Sequence, residues 1–269
     1  MVIDFHTHVF PEKIAKKTID FLAEKANGTP STDGTVLGLV ENMKKGGVDL
    51  SVTLPVLTKP TQFDSVTRFA MEINQQGEFD GKKLISFAGM HPACDDIKGK
   101  MKFLKDNGFK GVKIHPDYQG TRIDDDGYLE ILSSAKDNDL IVVTHSGVDD
   151  GYLGEEVKCP PVLVKKVIDR IGHSKFVLGH YGAHKQWEDV LDLLCGLDVY
   201  FDTAFTLHEI NEQLFKNILD KHGEDKILFA TDCPWRDMGD DVKIIKSFGL
   251  KDETLDKIFY KNAKKLLGI

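Results

Sequence analysis

Cysteine is scarce in this chain and scattered: Cys94, Cys159, Cys195 and Cys233 lie far apart, with no Cys-x-x-Cys pair among the four. Such spacing excludes a cysteine zinc site or a disulfide framework as the organising device, and a cytosolic protein with reduced thiols is the simplest expectation. Basic clusters are missing too. The formal net charge is -8, and the lysine pairs Lys16-Lys17, Lys165-Lys166 and Lys264-Lys265 fall in helical patterns that read as solvated faces, so no nucleic-acid partner is expected. No apolar run is long enough to cross a bilayer, so no membrane partner is expected either. The amino terminus enters a strand directly, without a basic segment and apolar core, and a secretory signal is not expected. A glycine-rich phosphate turn is also lacking after the first apolar run, where His6-Thr7-His8-Val9-Phe10-Pro11 stands instead.

What is present is a regular alternation. Apolar, β-rich runs at Val2–His8, Leu50–Pro55, Leu84–Gly89, Gly111–His115, Leu140–His145, Phe176–His180, Val199–Thr203 and Ile227–Asp232 are each followed by sequence of helical period. The helical stretches run over 12–26, 36–45, 65–76, 97–107, 128–138, 162–171, 187–194, 208–222, 242–248 and 253–267. Continuously apolar strands separated by helices imply a parallel sheet covered on both faces. Eight such units in 269 residues match one (β/α)8 barrel domain over 1–269, of α/β class. The polar loop Asn27–Gly34 is the best candidate for a mobile segment.

In such a barrel, chemistry gathers at the carboxyl ends of the strands. His6 and His8 end the first run; in an extended strand their side chains share a face, with origins roughly 6.6 Å apart. Two imidazoles so placed can converge on one metal ion, or can be two solvated residues at a strand end. Other runs end similarly, in Lys113 and His115, in His145, in His180 and in Asp232, so five of the ten histidines close predicted strands, together with a carboxylate. Imidazole and carboxylate suit zinc and similar divalent ions, and random placement would have scattered these residues into helices and loops. A metal site is the collective expectation.

The pattern resembles the amidohydrolase superfamily, and within it the amidohydrolase-related branch that includes aminocarboxymuconate-semialdehyde decarboxylase and resorcylate-type decarboxylases. His6-Thr7-His8, the Gly108–Pro116 run, Thr144-His145-Ser146-Gly147, Gly179-His180-Tyr181-Gly182, Thr231-Asp232-Cys233-Pro234 and the closing Asn262–Leu267 carry the likeness in order along the whole chain. Gly89-Met90-His91-Pro92 is similar to the related TatD-like nucleases, but those carry a Gly-Glu-Ile-Gly type fourth strand where this chain has Val112-Lys113-Ile114-His115. The resemblance implies that His6, His8, His145 and Asp232 bind one divalent metal, zinc first and manganese as the alternative. It implies that His180 stands beside the metal as acid/base or oxyanion-stabilising group, with Asp232 as its catalytic partner. Some amidohydrolases bridge two metals with a carbamylated strand-four lysine; Lys113, two residues before His115, is expected to sit too deep for that. Lys113, His115 and Arg236 are the candidate substrate-binding residues, with His115 alternatively a further ligand or a structural residue against Pro116. A small-molecule substrate and a homodimer are the partners implied.

Three functions follow as expectations. A divalent ion lowers the pKa of bound water to about 7, so hydrolysis of a small amide, lactone or ester comes first. A lyase on the same site, a decarboxylase or hydratase acting on a small carboxylic acid, is the alternative. A non-enzymatic, ligand-binding barrel is third, and His180 argues against it because a closed four-ligand site has no use for it. Elsewhere, His91 is expected to cap a loop, and His173, His208 and His222 to be solvated. His184 is a candidate for supporting the site from behind. Asp202 faces the pocket or pairs internally, Cys233 is a small buried residue, and Trp235 stands where an aromatic wall would be useful.

Overall fold

Each of the eight apolar runs forms a strand in the computed structural model, which describes residues 1–172 and 174–269; His173, expected to be solvated, lies outside the described residues. The strands are β1 (Ile3–Thr7), β2 (Leu50–Thr53), β3 (Glu78–Phe79), β4 (Lys82–Ser86), β5 (Ala88–Gly89), β6 (Gly111–Ile114), β7 (Ile141–Thr144), β8 (Phe176–Leu178), β9 (Tyr200–Asp202) and β10 (Ile227–Leu228). Strands β1, β2 and β4 pair in parallel, and β5 to β10 form a second all-parallel run. The third apolar run divides at Phe87, which ends the pairing of β4 with β2 and begins that of β5 with β6. Its amide still donates to Thr53 O at 3.0 Å, so chain continuity joins the two sheets there. On the other side Phe5 N donates to Phe229 O at 2.9 Å, Asp232 N to His6 O at 2.9 Å and His8 N to Cys233 O at 2.7 Å. The strands thus run round the ring of a (β/α)8 barrel.

Helix starts follow their caps. Thr35, Asp125, Asn211 and Asp237 each accept a hydrogen bond from the first turn they precede, satisfying amides that the helix leaves free. Asn211 therefore moves the start of the helix expected from 208 to Glu212, and Asp237 advances that expected at 242 to Met238. The closing helical stretch is interrupted by a π-turn at Lys257–Lys261. Among the elements not expected are the short β3, antiparallel to β4, and a single helical turn at Pro116–Gln119 directly after β6. No helix among the described residues is long and apolar enough to cross a membrane.

An inner cluster takes Ile3, Phe5, Leu50, Val52, Phe87, Val143, Val177 and Leu228 from around the ring, with Ala263, Leu266 and Leu267 of the last helix packed against it. Val112, Ile114, Leu104, Met101 and Leu132 belong to a second cluster that fills the layer between strands and helices. The register of β1 against β2 shifts between Asp4 and Thr7. Such an irregularity re-aims side chains locally; Phe5 packs inward while the His6 and His8 rings stand 5.1 Å apart at the barrel mouth.

Asp4 pins this seam. Its carboxylate accepts from His6 N and Thr231 N, each at 3.1 Å, and from Thr231 Oγ1 at 2.5 Å. Burial pushes its pKa from the ordinary 3.8 up to about 8, against the pull of those three donors. Between these values the folded chain holds a proton that the unfolded chain has released, so this group's contribution to stability is full below about pH 4 and falls as pH rises towards 8. Asp4→Asn should flatten that dependence: the difference in urea midpoint between variant and wild type shifts in the variant's favour from pH 5 to pH 8.5. Parallel pH profiles would refute it.

Candidate active site

At the carboxyl ends of the strands, His6, His8 and Asp232 offer ligand atoms that all lie within 4.8 Å of one another. His8 Nε2 is 3.0 Å and His6 Nε2 3.5 Å from Asp232 Oδ1. Partners on the far side of each ring set the tautomers. His8 Nδ1 donates to Leu54 O at 2.8 Å, and His6 Nδ1 lies 2.9 Å from Asp202 Oδ2, so both Nε2 lone pairs turn towards the carboxylate. Two imidazole lone pairs and a carboxylate oxygen converge here, with the Lys113 amine also reaching His6 Nε2 at 2.9 Å, and this donor set fits zinc or manganese. Asp202 is fully buried, with its pKa pushed up to about 6 by burial. Its other oxygen accepts from His180 N at 3.0 Å and Ala204 N at 3.1 Å. It faces the site from behind, in the manner of the carboxylates that orient metal-bound histidines.

His145 is not in this trio. Its Nδ1 lies 2.9 Å from His180 Nε2, and its ring stacks on His115 at 4.3 Å and 9°, which turns its Nε2 towards Asp117, 3.8 Å away. His115, His145 and Asp149 form a second group with metal-ligand spacing. His180 Nδ1 donates to Ala204 O at 2.9 Å, which leaves its Nε2 to accept from His145. Both His145 Nε2 and Asp117 Oδ2 are buried without a hydrogen-bond partner. In this arrangement His145 Nδ1 is committed to His180 and faces away from the trio. We therefore expect His145→Ala to leave the bound metal per chain near wild type while lowering turnover; loss of the metal would restore it as a ligand.

Lys113 is buried, and its Nζ reaches His6 Nε2 at 2.9 Å. Its long stem brings the amine up to the site, so the depth expected from its position in the strand does not isolate it. Burial lowers its pKa to about 8, opposed by Asp202 and Asp232. His6, His115, His145 and His180 are all held well below the ordinary histidine range, chiefly by burial, with Lys113 and neighbouring imidazoles adding to it. They are neutral at pH 7, the form that ligates metal.

Two of these residues carry backbone strain. Asp232 has φ 71° and His180 φ 59°, left-handed values that cost a non-glycine residue on the order of 1–3 kcal/mol and persist where surroundings over-determine them. Here the determinants are Asp232 N to His6 O, Trp235 N to Asp232 O at 2.8 Å, and His180 N to Asp202. Gly179 makes room beside His180: a Cβ there would stand 2.8 Å from Thr144 O and 3.4 Å from His6 Cε1.

The remaining expectations divide. His91 Nδ1 accepts from Ala93 N at 3.1 Å and caps its loop. Arg236 lines the cavity, but its guanidinium is tied to Asp241 at 2.8 and 3.1 Å, so substrate would have to compete with that pair. Trp235 lines the cavity, Cys233 is buried, and His208 is part-exposed at the rim. His222 is not solvated: it is 7% exposed, stacks on Phe201 at 3.8 Å and 9°, and accepts from Gly196 N through Nδ1. Its apolar ring face fills the outer layer at the last turn of its helix. Asp117, Tyr118, Asp149, Tyr152 and Lys25 were not anticipated. Lys25 Nζ lies 3.3 Å from the Tyr152 ring centre, on one wall of a cavity of about 910 Å³. Only the Asp-Tyr directly after His115-Pro116 offered a local signal for any of them.

A (β/α)8 barrel with an imidazole–carboxylate centre at its strand ends defines a class of metal-centred barrel enzymes. Residues 3–269 match the family model described as Amidohydrolase, and the chain belongs to that family. No curated protein matches the sequence. Among solved structures, a 5-carboxyvanillate decarboxylase from Novosphingobium aromaticivorans, with bound manganese and a hydroxy-methoxy-nitrobenzoic acid, is similar over 100% of this chain and 97% of its own, at TM-score 0.74 and 14% identity. A dihydroxybenzoic acid decarboxylase from Polaromonas sp. JS666, with manganese and 2-nitroresorcinol, is similar over 99% and 96%, at TM-score 0.73 and 14% identity. An uncharacterised TIM-barrel protein from Bordetella bronchiseptica is similar over 99% and 98%, at TM-score 0.76 and 14% identity.

Proposed function

We propose that this chain is a divalent-metal-dependent lyase that removes carbon dioxide from a small aromatic hydroxy acid. The observation that carries the reading is the make-up of the cavity. Its floor holds His6, His8, Asp232, Lys113 and His180, and its walls are aromatic, from Phe10, Phe69, Tyr118, Phe205 and Trp235. A flat ring would lie between such walls, with its carboxylate and hydroxyl towards Lys113 and the ion that His6, His8 and Asp232 would hold. The manganese and benzoate-type ligands of the similar decarboxylases support the same assignment.

His6, His8 and Asp232 would hold the ion. When bound, a divalent cation supplies charge stabilisation for substrate oxygens. Lys113, beside His6, adds positive charge for a carboxylate, and the aromatic walls exclude water and fix the plane of the ring. Loss of carbon dioxide breaks the ring-carbon–carboxyl bond and puts a proton on the same carbon. Asp232, facing the cavity, is placed to deliver that proton, and His180 can do so once its Nε2, which here accepts from His145 Nδ1, has taken up a proton.

Hydrolysis of a small amide, lactone or ester remains the second reading, because Asp232 and His180 equally form an acid–base pair about a water. Incubating the manganese- or zinc-loaded enzyme with ortho-hydroxybenzoates and with a lactone, ester and amide panel separates the two. Carbon dioxide release from a hydroxybenzoate is expected; hydrolytic turnover without carbon dioxide release would overturn the lyase reading.

A further inference from the structure

A third cluster lies at the cavity rim, away from the His6–His8–Asp232 trio. The loops after β7, β8 and β9 bring Asp150, His184 and Glu209 together, their ligand atoms all within 4.8 Å of one another. His184 is only 3% exposed, yet neither ring nitrogen has a hydrogen-bond partner. Its Nε2 points between the two carboxylates, 3.8 Å from Asp150 Oδ2 and 3.7 Å from Glu209 Oε2. On the other oxygen of Glu209, His208 Nε2 stands 3.7 Å away.

These separations exceed a hydrogen bond, but two donors about 2.1 Å from one tetrahedral ion lie roughly 3.4 Å apart. The placement is also rigid. His184 N donates to Ser146 O at 2.8 Å and Val148 N to His184 O at 3.0 Å, so the backbone of the β8 loop is sewn to that of the β7 loop. A buried imidazole with both nitrogens unpaired costs free energy unless something uses its lone pair. Lys185 does not: its Nζ contacts both oxygens of Asp150 at 2.7 and 2.9 Å and lies 3.9 Å from Glu209. One ammonium against two carboxylates leaves a net negative charge, and its side chain is 40% exposed, free to swing out when a stronger cation enters.

We propose that Asp150, His184 and Glu209 form a second divalent-cation site of zinc type, with His208 in reach as a fourth donor, which staples the three loops at the cavity rim. The proposal is independent of the reaction catalysed. The test is zinc alone. Chelator-stripped protein is loaded with zinc chloride, desalted, and its bound zinc per chain measured by mass spectrometry, in wild type, the His6→Ala/His8→Ala double variant, His184→Ala and Glu209→Gln. The double variant should keep one ion per chain, whereas His184→Ala and Glu209→Gln should each bind one fewer than wild type. Glu209 is exposed, so Glu209→Gln keeps the test valid if His184→Ala fails to fold. A double variant that binds no zinc, or a Glu209→Gln protein that binds as much as wild type, would overturn the proposal.

Discussion

Asp232→Asn should leave the barrel folded and lower kcat/KM by about three orders of magnitude, with metal affinity at least about a hundredfold weaker. The substitution keeps the size of the side chain, and asparagine tolerates the left-handed backbone that Asp232 adopts at φ 71°. Asp232→Ala would add strain of its own and confuse the result. Only the charge is lost. The oxygen that stands 3.0 Å from His8 Nε2 and 3.5 Å from His6 Nε2 then belongs to a neutral amide, and the two imidazoles no longer share an anion. Urea unfolding of the metal-free variant should match wild type, and bound metal per chain and turnover should fall together. A variant that retains full metal and full activity would remove Asp232 from the site.

How much of this was readable beforehand depends on where the information sits. An apolar run that stops at a polar residue marks a barrel strand and its carboxyl end simultaneously, so His6, His8, His115, His145, His180 and Asp232 could be placed at the mouth of one ring from sequence alone, whereas Lys113 was expected to lie deeper. Which nitrogen of each faces inward could not, because that is set by partners remote in the chain. His8 Nδ1 is fixed by Leu54 O and His6 Nδ1 by Asp202, across 46 and 196 residues. The separation of His145 from the trio has the same origin: ring stacking on His115 and a hydrogen bond to His180 are tertiary choices. The irregularity in β1 that re-aims His6 leaves no mark in the alternation of residue types, and neither does the burial of His222 against Phe201. Asp149 and Asp150 sit in a loop without periodicity, where only the folded chain shows what they face.

The same strand ends set the sharpest test of catalysis. His180→Asn should keep wild-type metal content and lower kcat by about 10²–10⁴, the range a positioned acid or base contributes. Asparagine again accommodates the backbone, here φ 59°, and an amide can still donate to Ala204 O as Nδ1 does at 2.9 Å. The contacts made by the backbone of His180 are untouched: its amide to Asp202 and its carbonyl accepting from Trp187 Nε1 at 3.1 Å. What disappears is the Nε2 lone pair that accepts from His145 Nδ1 and, through His145, faces the unpaired Oδ2 of Asp117. A residue serving only to pack the site would show a change in stability with kcat preserved. A residue passing a proton would show kcat reduced, KM little changed and the metal retained. Unchanged turnover at full metal loading would sink the catalytic role of His180.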